Sequence, residues 1–331
     1  MVCSDVTHKL LILSKIKGIG PKALIQLSKI KSFESLSFQD MAEENNVLKK
    51  KLEGIDLLDA EKAAEYDISE ARNSSSKIIS VLDSAYPSLM KDISDKPAIV
   101  YVKGNFHSQE HDSIAIIGTR EPTEHGKIIT ERISEFFVDN NYSIVSGLAI
   151  GCDTIAHDIA VKNAAHTVAV LSHGLQTIAP KQNIDLAKKI LDTGGLLLTE
   201  YLFGTPVRPF QYVQRDRIQA ALSKGVVMIQ SDLKGGSLHA SRATLKYNRK
   251  LVVPFPTPAD IESKSSKTEA NILIANDNID ERINLLKCSE EQLKNIFVLR
   301  GKNDYNELLT VLKSSSELPS DSIVGQQSWD I

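Results

Sequence analysis

The segment YSIVSGLAIGCDTIAHDIAVKNAAHTVAVLS (142–172) decides the fold of this chain. It begins with the apolar run YSIVSG (142–147) and ends with the apolar run TVAVLS (167–172), and residues with helical spacing lie between the two runs. Short, unbroken runs that alternate with helices are typical of parallel strands that are buried on both faces. The segment therefore predicts a strand, a helix and a second, parallel strand.

The same alternation extends in both directions from this segment. Further apolar runs are SIAIIG (113–118), GLLLTE (195–200), GVVMIQ (225–230) and KLVVPF (250–255). Helical spacing is found between most of the runs, as in residues 126–140 and 237–248. We therefore predict that residues 113–275 form an α/β domain with a Rossmann-like, doubly wound and mostly parallel sheet.

The flanking regions differ from this domain in their pattern. Residues 1–76 have helical periodicity up to a polar break at NSSS (73–76), which predicts a small N-terminal all-helical domain. Residues 77–112 are expected to form a connector with a first strand at AIVYV (98–102). Residues 276–331 are expected to form a helical C-terminal extension with a polar tail.

The composition limits the classes of function. The chain has 331 residues, 42% of them hydrophobic, and a formal net charge of −3, so any nucleic-acid binding must come from local basic patches. The cysteines Cys3, Cys152 and Cys288 are far apart in sequence, which argues against a disulfide framework and against a zinc site. The sequence shows neither a long apolar run nor a signal peptide, which predicts a cytoplasmic protein.

Small and hydroxylated residues follow the predicted strands at the point where each strand ends. Parallel strands present such turns at one edge of the sheet, where backbone N–H groups are available to a ligand. Glycine permits a close approach of the backbone to an anion, and serine or threonine adds a hydroxyl donor. The candidate anion-binding residues in these turns are Gly118, Thr119, Thr123, Ser146, Gly147, Gly151, Gly174, Gly235, Gly236 and Ser237.

Three arginines add positive charge near this edge. Arg120 lies in the first turn and is suited to a bidentate contact with a phosphate. Arg215 and Arg217 lie just before the apolar part of VQRDRIQAALS (213–223), and from the start of a helix both are expected to point towards the ligand edge. The alternative is that these two arginines belong to a solvated helix end.

Ser146, Asp153 and His157 raise the alternative of a catalytic triad. The sequence around Ser146 lacks the G-x-S-x-G pattern of a nucleophile elbow. Asp153 and His157 are four residues apart on one face of a helix that starts near Gly151, so they are placed to bond to each other and to brace the loop. The sequence therefore favours a ligand cradle over a catalytic centre.

The N-terminal stretch HKLLILSKIKGIGPKALIQLSKIK (8–31) contains six lysines, no acidic residue and a glycine turn between two apolar helices. This pattern is typical of a helix-hairpin-helix (SAM-like) motif, in which the turn offers N–H groups to a DNA phosphate. The candidate secondary DNA contacts are Lys17, Gly18, Gly20 and Lys22. A hairpin that serves only for packing is an equal alternative.

In sequence order, these motifs resemble the DNA-processing protein A (DprA/Smf) family over roughly residues 8–275. The most specific motif of the family is S-G-x-A-x-G-x-D-x-x-A-H, which this chain matches from Ser146 to His157. Other matches are a G-[ST]-R turn at 118–120, a T-E-Y turn at 199–201 and an R-x-R pattern at 215–217. The family usually has asparagine inside the R-x-R pattern, whereas this chain has Asp216, which indicates a divergent member.

The resemblance implies a non-enzymatic protein that binds single-stranded DNA, forms a homodimer and helps to load a RecA-type recombinase in transformation or recombination. It also implies that Arg120, Arg215, Arg217 and the loop glycines line a basic pocket for the phosphate backbone, without a cofactor. Two alternatives remain: a non-catalytic nucleotide sensor, and a scaffold for partner proteins in a setting such as defence against foreign DNA. The sequence has no P-loop and no G-x-G-x-x-G that opens a helix after a strand, which argues against the common nucleotide-binding enzymes.

Overall fold

The computed structural model describes residues 1–52, 57–107 and 112–314. The strands in these ranges are β1 (Ser76–Ser80), β2 (Ile99–Gly104), β3 (Ser113–Ile117), β4 (Ser143–Ser146), β5 (Thr167–Val170), β6 (Leu196–Thr199), β7 (Gly225–Met228), β8 (Lys250–Pro254) and β9 (Ile296–Leu299). They form one sheet in the order β1-β2-β6-β5-β4-β3-β7-β8-β9. Strands β3 to β9 are parallel, and β2 pairs antiparallel with both β1 and β6.

Helices precede the sheet in the chain and also connect its strands. The helices before β1 are α1 (Asp5–Lys15), α2 (Pro21–Leu27), α3 (Phe38–Glu44), α4 (Asn46–Leu52) and α5 (Leu58–Asn73). The helices from β1 to β7 are α6 (Ser88–Lys91), α7 (Glu124–Asp139), α8 (Cys152–Lys162), α9 (Ile184–Asp192) and α10 (Pro209–Ala221). The remaining helices are α11 (Ser237–Lys246), α12 (Pro258–Glu262), α13 (Glu269–Ala275), α14 (Ile279–Leu286), α15 (Glu290–Leu293) and α16 (Tyr305–Ser314).

The predicted Rossmann-like, mostly parallel sheet is confirmed. Strands β3 to β8 coincide with the six apolar runs that the sequence showed. These strands are buried along nearly their whole length, because helices cover both faces of the sheet. A continuous apolar run is therefore the pattern that this central part of the sheet requires.

The chain reverses its direction across the sheet at β3. After β3 it adds β4, β5 and β6 on one side, and it then returns to add β7, β8 and β9 on the other side. The loops that follow β3 and β7 consequently run to opposite sides and leave a crevice between them. This crevice is the place where open α/β sheets commonly bind ligands.

The N-terminal helices share a hydrophobic core with one face of the sheet. Leu10, Leu11 and Leu13 of α1 are fully buried and belong to the same apolar cluster as Tyr101 of β2 and Leu197 of β6. The predicted helical character of the N-terminal region thus holds up to Asn73, where α5 ends. The division of the chain into domains stays a prediction.

Two strands are missing from the sequence-based prediction, and both lie at the edges of the sheet. Residues 76–80 were expected to be part of a linker and connector but form β1, in which Ile78 lies opposite Tyr101 of β2. The C-terminal extension was expected to be helical, yet β9 pairs with β8 beyond the short helix α15. Both strands are short and exist because a neighbouring strand supplies hydrogen-bond partners. The expected polar tail (317–331) lies outside the described residues.

Neither a membrane span nor a metal centre is found in residues 1–52, 57–107 and 112–314. No helix in these ranges is both long enough and apolar enough to cross a bilayer. The same residues contain no group of three or more His, Cys, Asp or Glu side chains placed to hold a metal ion. The three cysteines are free, as expected from their spacing.

Candidate functional site

A cleft of about 390 Å³ lies at the carboxyl edge of the sheet, where the strand order reverses. It is lined by residues 117–121 after β3, by Ala149 and Asp153, by one face of α10, and by the turn and first residues of α11 after β7. We call it the switch-point cleft. Its position agrees with the expectation that the turns at the strand ends form one ligand edge.

The cleft brings together only part of the predicted site. The predicted residues that line it are Gly118, Thr119, Arg120, Arg215, Gly235, Gly236 and Ser237, together with Asp153. Those that do not line it are Thr123, Ser146, Gly147, Gly151, Gly174, Arg217 and His157. The residues of the second group form hydrogen bonds to other parts of the protein or pack closely against them.

Arg120 is the exposed cation at the mouth of the cleft. Its guanidinium carbon lies 5.2 Å from the ring centroid of Tyr212, which is a cation–π distance. The neighbouring Thr119 donates its N–H to the carbonyl of Gln230 at 2.9 Å, and this bond ties the Arg120 turn to the end of β7. The structure therefore holds Arg120 at the cleft while its side chain stays accessible.

Arg215 is a buried brace rather than a free cation. Its side chain is 4% exposed, and its Nη1 donates to the carbonyl of Gly147 at 2.7 Å and to the carbonyl of Val170. Its Nε also pairs with Asp216 Oδ1 at 3.2 Å. Arg215 thus joins the ends of β4 and β5 to α10, and much of its donor capacity is used inside the protein.

The expectation that Arg217 points towards the ligand edge is wrong. Helix α10 begins at Pro209, so Arg215 and Arg217 lie inside the helix and not at its start. Two residues correspond to a rotation of about 200° around a helix, which places the two side chains on opposite faces. Arg217 Nη2 instead donates to Glu200 Oε2 at 2.5 Å.

The polar groups of the SGLAIG turn (146–151) are mostly used to hold the turn itself. Ser146 Oγ donates to the carbonyl of Ile116 at 2.6 Å and is fully buried. Asp153 Oδ2 accepts the N–H of Gly147 at 3.1 Å and the N–H of Ala149 at 3.3 Å. These contacts make Asp153 the brace of the loop and leave neither Ser146 nor the Gly147 N–H directed at a ligand.

His157 is not hydrogen-bonded to Asp153, although their spacing predicted such a pair. Its Nδ1 lies 2.7 Å from Thr167 Oγ1, so His157 links α8 to β5. Burial lowers the pKa of His157 to about 3, with Arg215 acting in the same direction, which keeps the ring neutral. With Ser146 bonded to Ile116 and His157 to Thr167, these side chains do not form a catalytic triad.

Two glycines of this turn are required by close packing. A Cβ at Gly147 would lie 2.3 Å from Nη1 of the buried Arg215. Gly151 has φ +86, and a Cβ there would lie 2.5 Å from the carbonyl oxygen of Thr119. Both glycines therefore allow the loop to approach its own neighbours, which is a different reason from the predicted contact with a phosphate.

Thr123 and Gly174 also have internal roles. Thr123 caps α7 by accepting the N–H of Gly126 at 3.0 Å, and its hydroxyl donates to Asp260 at 2.8 Å. Gly174 is buried and donates its N–H to the carbonyl of Thr205 at 3.2 Å. The candidate secondary contacts of the N-terminal hairpin are exposed at the α1–α2 turn and the start of α2, and they do not line the switch-point cleft; they are Lys17, Gly18, Gly20 and Lys22.

Charges of both signs line the cleft, and their balance depends on pH. The cations are Arg120, Arg215 and Lys267, and the acidic residues are Glu121, Asp153, Asp216 and Asp232. Burial raises the pKa of Asp216 to about 7 against the opposing effect of Arg215, and burial also raises the pKa of Asp153. The cleft is therefore more positive below neutral pH than above it.

The sequence-based prediction missed an aromatic side chain at the cleft. Tyr212 on α10 lines the cleft beside Arg120, whereas Phe210, two residues earlier in the helix, is 53% exposed but does not line it. The signal was present in PVRPFQY (206–212), where aromatic residues stand among prolines just before the R-x-R pattern. In addition, Ser237 Oγ at the start of α11 is buried and has no hydrogen-bond partner in the described part of the chain.

Comparison with known proteins gives matches of sequence and of fold. The family model of DNA recombination-mediator protein A matches residues 77–293. Protein Smf from Synechocystis sp. is 35% identical over 184 residues, which are 54% of this chain and 46% of that protein. The chain thus spans about half the length of this curated relative.

Two solved structures are similar in fold over most of this chain. DNA processing protein A from Streptococcus pneumoniae has a TM-score of 0.64 and 24% identity, covering 81% of this chain and 97% of that chain. At this level of sequence identity, the match shows a common fold. DNA processing protein A from Helicobacter pylori, whose structure concerns its single-stranded DNA binding mode, has a TM-score of 0.55 and 26% identity, covering 69% of this chain and 94% of that chain.

Proposed function

Because this chain belongs to the DNA recombination-mediator protein A (DprA/Smf) family, we propose that it binds single-stranded DNA in the switch-point cleft. The observation that carries this proposal is the exposed Arg120, whose guanidinium lies against the ring of Tyr212 in the cleft. Cations that contact phosphates beside aromatic rings that stack on bases are the usual means of binding single strands. The binding mode described for the Helicobacter pylori relative supports the same choice of ligand.

In this proposal each group has a distinct task. Arg120 contacts a backbone phosphate, and Tyr212 stacks on a base. Ser237 Oγ, which lacks a partner among the described residues, offers a hydroxyl at the start of α11, where helix N–H groups favour an anion. Arg215 contributes positive charge from its buried position but mainly holds the cleft in shape.

Replacement of Arg120 by alanine tests the proposal. We expect Arg120→Ala to weaken binding of a fluorescent single-stranded oligonucleotide by about tenfold or more, because a hydrogen bond to a charged group contributes about 1.5–3 kcal/mol. Wild-type affinity should also fall between about 50 mM and about 200 mM salt, since phosphate contacts release counterions. Fluorescence anisotropy titrations at both salt concentrations measure these effects.

Arg132→Ala is the matched control for this titration. Arg132 is exposed on α7 and does not line the cleft, so its loss removes the same charge without removing a proposed contact. Arg132→Ala should bind the oligonucleotide nearly as tightly as wild type. Absence of binding at low salt, or equal weakening by both substitutions, would contradict the proposal.

The pH dependence of binding is a second prediction, and it rests on Asp216. Asp216 is charged above a pKa of about 7 and neutral below it, so DNA should bind more tightly at lower pH. We expect the affinity to rise roughly fivefold as the pH falls from about 8 to about 6, since a bound phosphate that raises this pKa by one unit changes the affinity by about tenfold between the fully charged and fully neutral forms. The same anisotropy titration, repeated across this pH range, provides the measurement.

Asp216→Asn should bind at pH 8 as tightly as wild type binds at pH 6 and should lose most of the pH dependence. Asp232→Asn removes a carboxylate from the same cleft and serves as the control, because it keeps Asp216 and should therefore keep the pH dependence of wild type. A wild-type affinity that is equal at both ends of the pH range would show that Asp216 does not act in this way.

A nucleotide sensor is the second candidate function, and the size of the cleft favours it. A volume of about 390 Å³ suits a small ligand such as a single nucleotide. Thermal stabilisation by a mononucleotide, together with failure to bind the oligonucleotide, would favour this alternative. The RecA-type recombinase, the homodimer and the setting in transformation or recombination stay predictions from the family.

A further inference from the structure

A second pocket lies on the face of α10 opposite the switch-point cleft. Its volume is about 300 Å³, and it is formed between α10, α11 and the end of α14. We call it the α10–α14 pocket. The side chains that define it are Asp95, Arg217, Arg242, Lys246, Tyr247 and Lys287.

The α10–α14 pocket concentrates positive charge in a protein whose net charge is negative. Four of its lining residues are Lys or Arg, and one is acidic. The carboxylate of Asp95 is already engaged, since it pairs with Lys246 Nζ at 2.7 Å and accepts the Tyr247 hydroxyl at 2.6 Å. Glu200 pairs in the same way with Arg217 at 2.5 Å. The pocket therefore keeps the positive charges of Arg242 and Lys287 after these internal pairs are formed.

Arg217 provides a second and independent sign of a ligand. Its Nη2 binds Glu200, but its Nη1 is buried and has no hydrogen-bond partner among the described residues. A buried donor of a charged group that lacks an acceptor is costly, and such groups are rare unless water or a ligand completes them. An acceptor oxygen in the pocket would satisfy this Nη1.

The other cations are held in place around the same space. Arg242 donates from Nε at 3.1 Å and from Nη2 at 2.8 Å to the carbonyl of Leu285, at the end of α14, which orients its guanidinium. Lys287 follows α14 in a left-handed conformation with φ 52 and is exposed at the rim. Two arginine forks and two ammonium groups around a small volume match a compact anion with several acceptor oxygens.

We infer that the α10–α14 pocket binds a phosphate group. The phosphate belongs either to a small phosphorylated ligand or to the terminal phosphate of a DNA strand, and both have the same chemistry in the pocket. Arg217 and Arg242 hydrogen-bond its oxygens, and Lys246 and Lys287 balance its charge. This site is separate from the proposed DNA site, because α10 lies between the two and Arg120 does not line it.

Isothermal titration of the full chain with inorganic phosphate, at constant ionic strength, tests this inference. The variant is Lys246→Gln together with Lys287→Gln, whose side chains are both exposed, so the fold is retained. Its matched control is Lys62→Gln together with Lys188→Gln, which removes the same charge from exposed positions on α5 and α9. We expect the pocket variant to bind phosphate about tenfold more weakly than wild type and the control to bind like wild type.

Oligonucleotides with and without a 5′-phosphate separate the two sources. If the pocket takes a strand terminus, the 5′-phosphate tightens binding to wild type and to Arg120→Ala but not to the pocket variant. If it takes a small ligand, inorganic phosphate binds but the terminal phosphate has no effect. Absence of phosphate binding by wild type, or equal binding by the pocket variant and wild type, would overturn the inference. The Arg120→Ala titration tests the DNA site independently.

Discussion

Arg215→Met is expected to destabilise the protein by about 3–5 kcal/mol, because it breaks a buried ion pair and leaves the partner charge uncompensated. Methionine fills a similar volume but donates no hydrogen bond. The carbonyls of Gly147 and Val170 lose their donor, and Asp216 loses its cation. Chemical denaturation followed by circular dichroism measures the free energy of unfolding.

The loss caused by Arg215→Met should itself depend on pH. The pKa values of Asp153 and Asp216 are raised by burial, so both carboxyls take up a proton more readily in the folded protein than in the unfolded chain. The neutral carboxyl groups need no cation. The free energy of unfolding that Arg215→Met loses relative to wild type should therefore be smaller at pH 5 than at pH 8.

Arg208→Met is the control for this substitution, since Arg208 is an exposed arginine that immediately precedes α10. It removes the same charge from the residue before this helix and should change stability by less than about 1 kcal/mol. If Arg215→Met unfolds at the same denaturant concentration as Arg208→Met, Arg215 is not the brace that its contacts suggest.

Gly151→Ala is expected to cost about 3 kcal/mol or more and to weaken DNA binding as well. Gly151 has φ +86 and ψ −129, which side chains rarely adopt, and its Cβ would lie 2.5–2.6 Å from backbone atoms of Thr119 and Arg120. Backbone atoms cannot move aside without a shift of the turn that carries Arg120. Thermal unfolding and the oligonucleotide titration measure the two effects.

Gly194→Ala is the control that separates the effect of backbone strain from the effect of the close contact with Thr119 and Arg120. Gly194 also has a positive φ, +82, but no atom lies within 4 Å of where its Cβ would be. It should cost only about 1–2 kcal/mol, which is the penalty of a left-handed conformation for an ordinary residue. It should leave DNA binding unchanged. Equal stability of the two variants, or wild-type DNA binding by Gly151→Ala, would contradict the proposed coupling between the loop and Arg120.

The central strands were predictable because the signal is local. A parallel strand covered on both faces needs a continuous apolar run, and β3 to β8 each have one within a few residues. The edge strands β1 and β9 were not predicted, because SKIIS (76–80) and IFVL (296–299) are short and depend on pairing with β2 and β8. Such pairing joins residues that are distant in sequence.

The location of the candidate site was predictable, but the tasks of its side chains were not. The turns after β3 and β7 meet at one edge because the strands are parallel, and Arg120 lies there as expected. The sequence places Arg215 and Arg217 near the start of a helix, whereas α10 begins at Pro209. The two side chains therefore point to opposite faces of α10, and only Arg215 lines the cleft.

The sequence by itself determined the parallel α/β sheet, the turns at its carboxyl edge and the resemblance to the DprA/Smf family, since periodicity and motif spacing are properties of neighbouring residues. Only the tertiary structure decided which polar groups are free for a ligand. Arg215 and Gly147 are 68 residues apart and hydrogen-bonded, and Gly151 is glycine because Thr119 passes beside it. Such contacts form when the sheet brings distant turns together, and they leave Arg120 and Tyr212 accessible at the cleft.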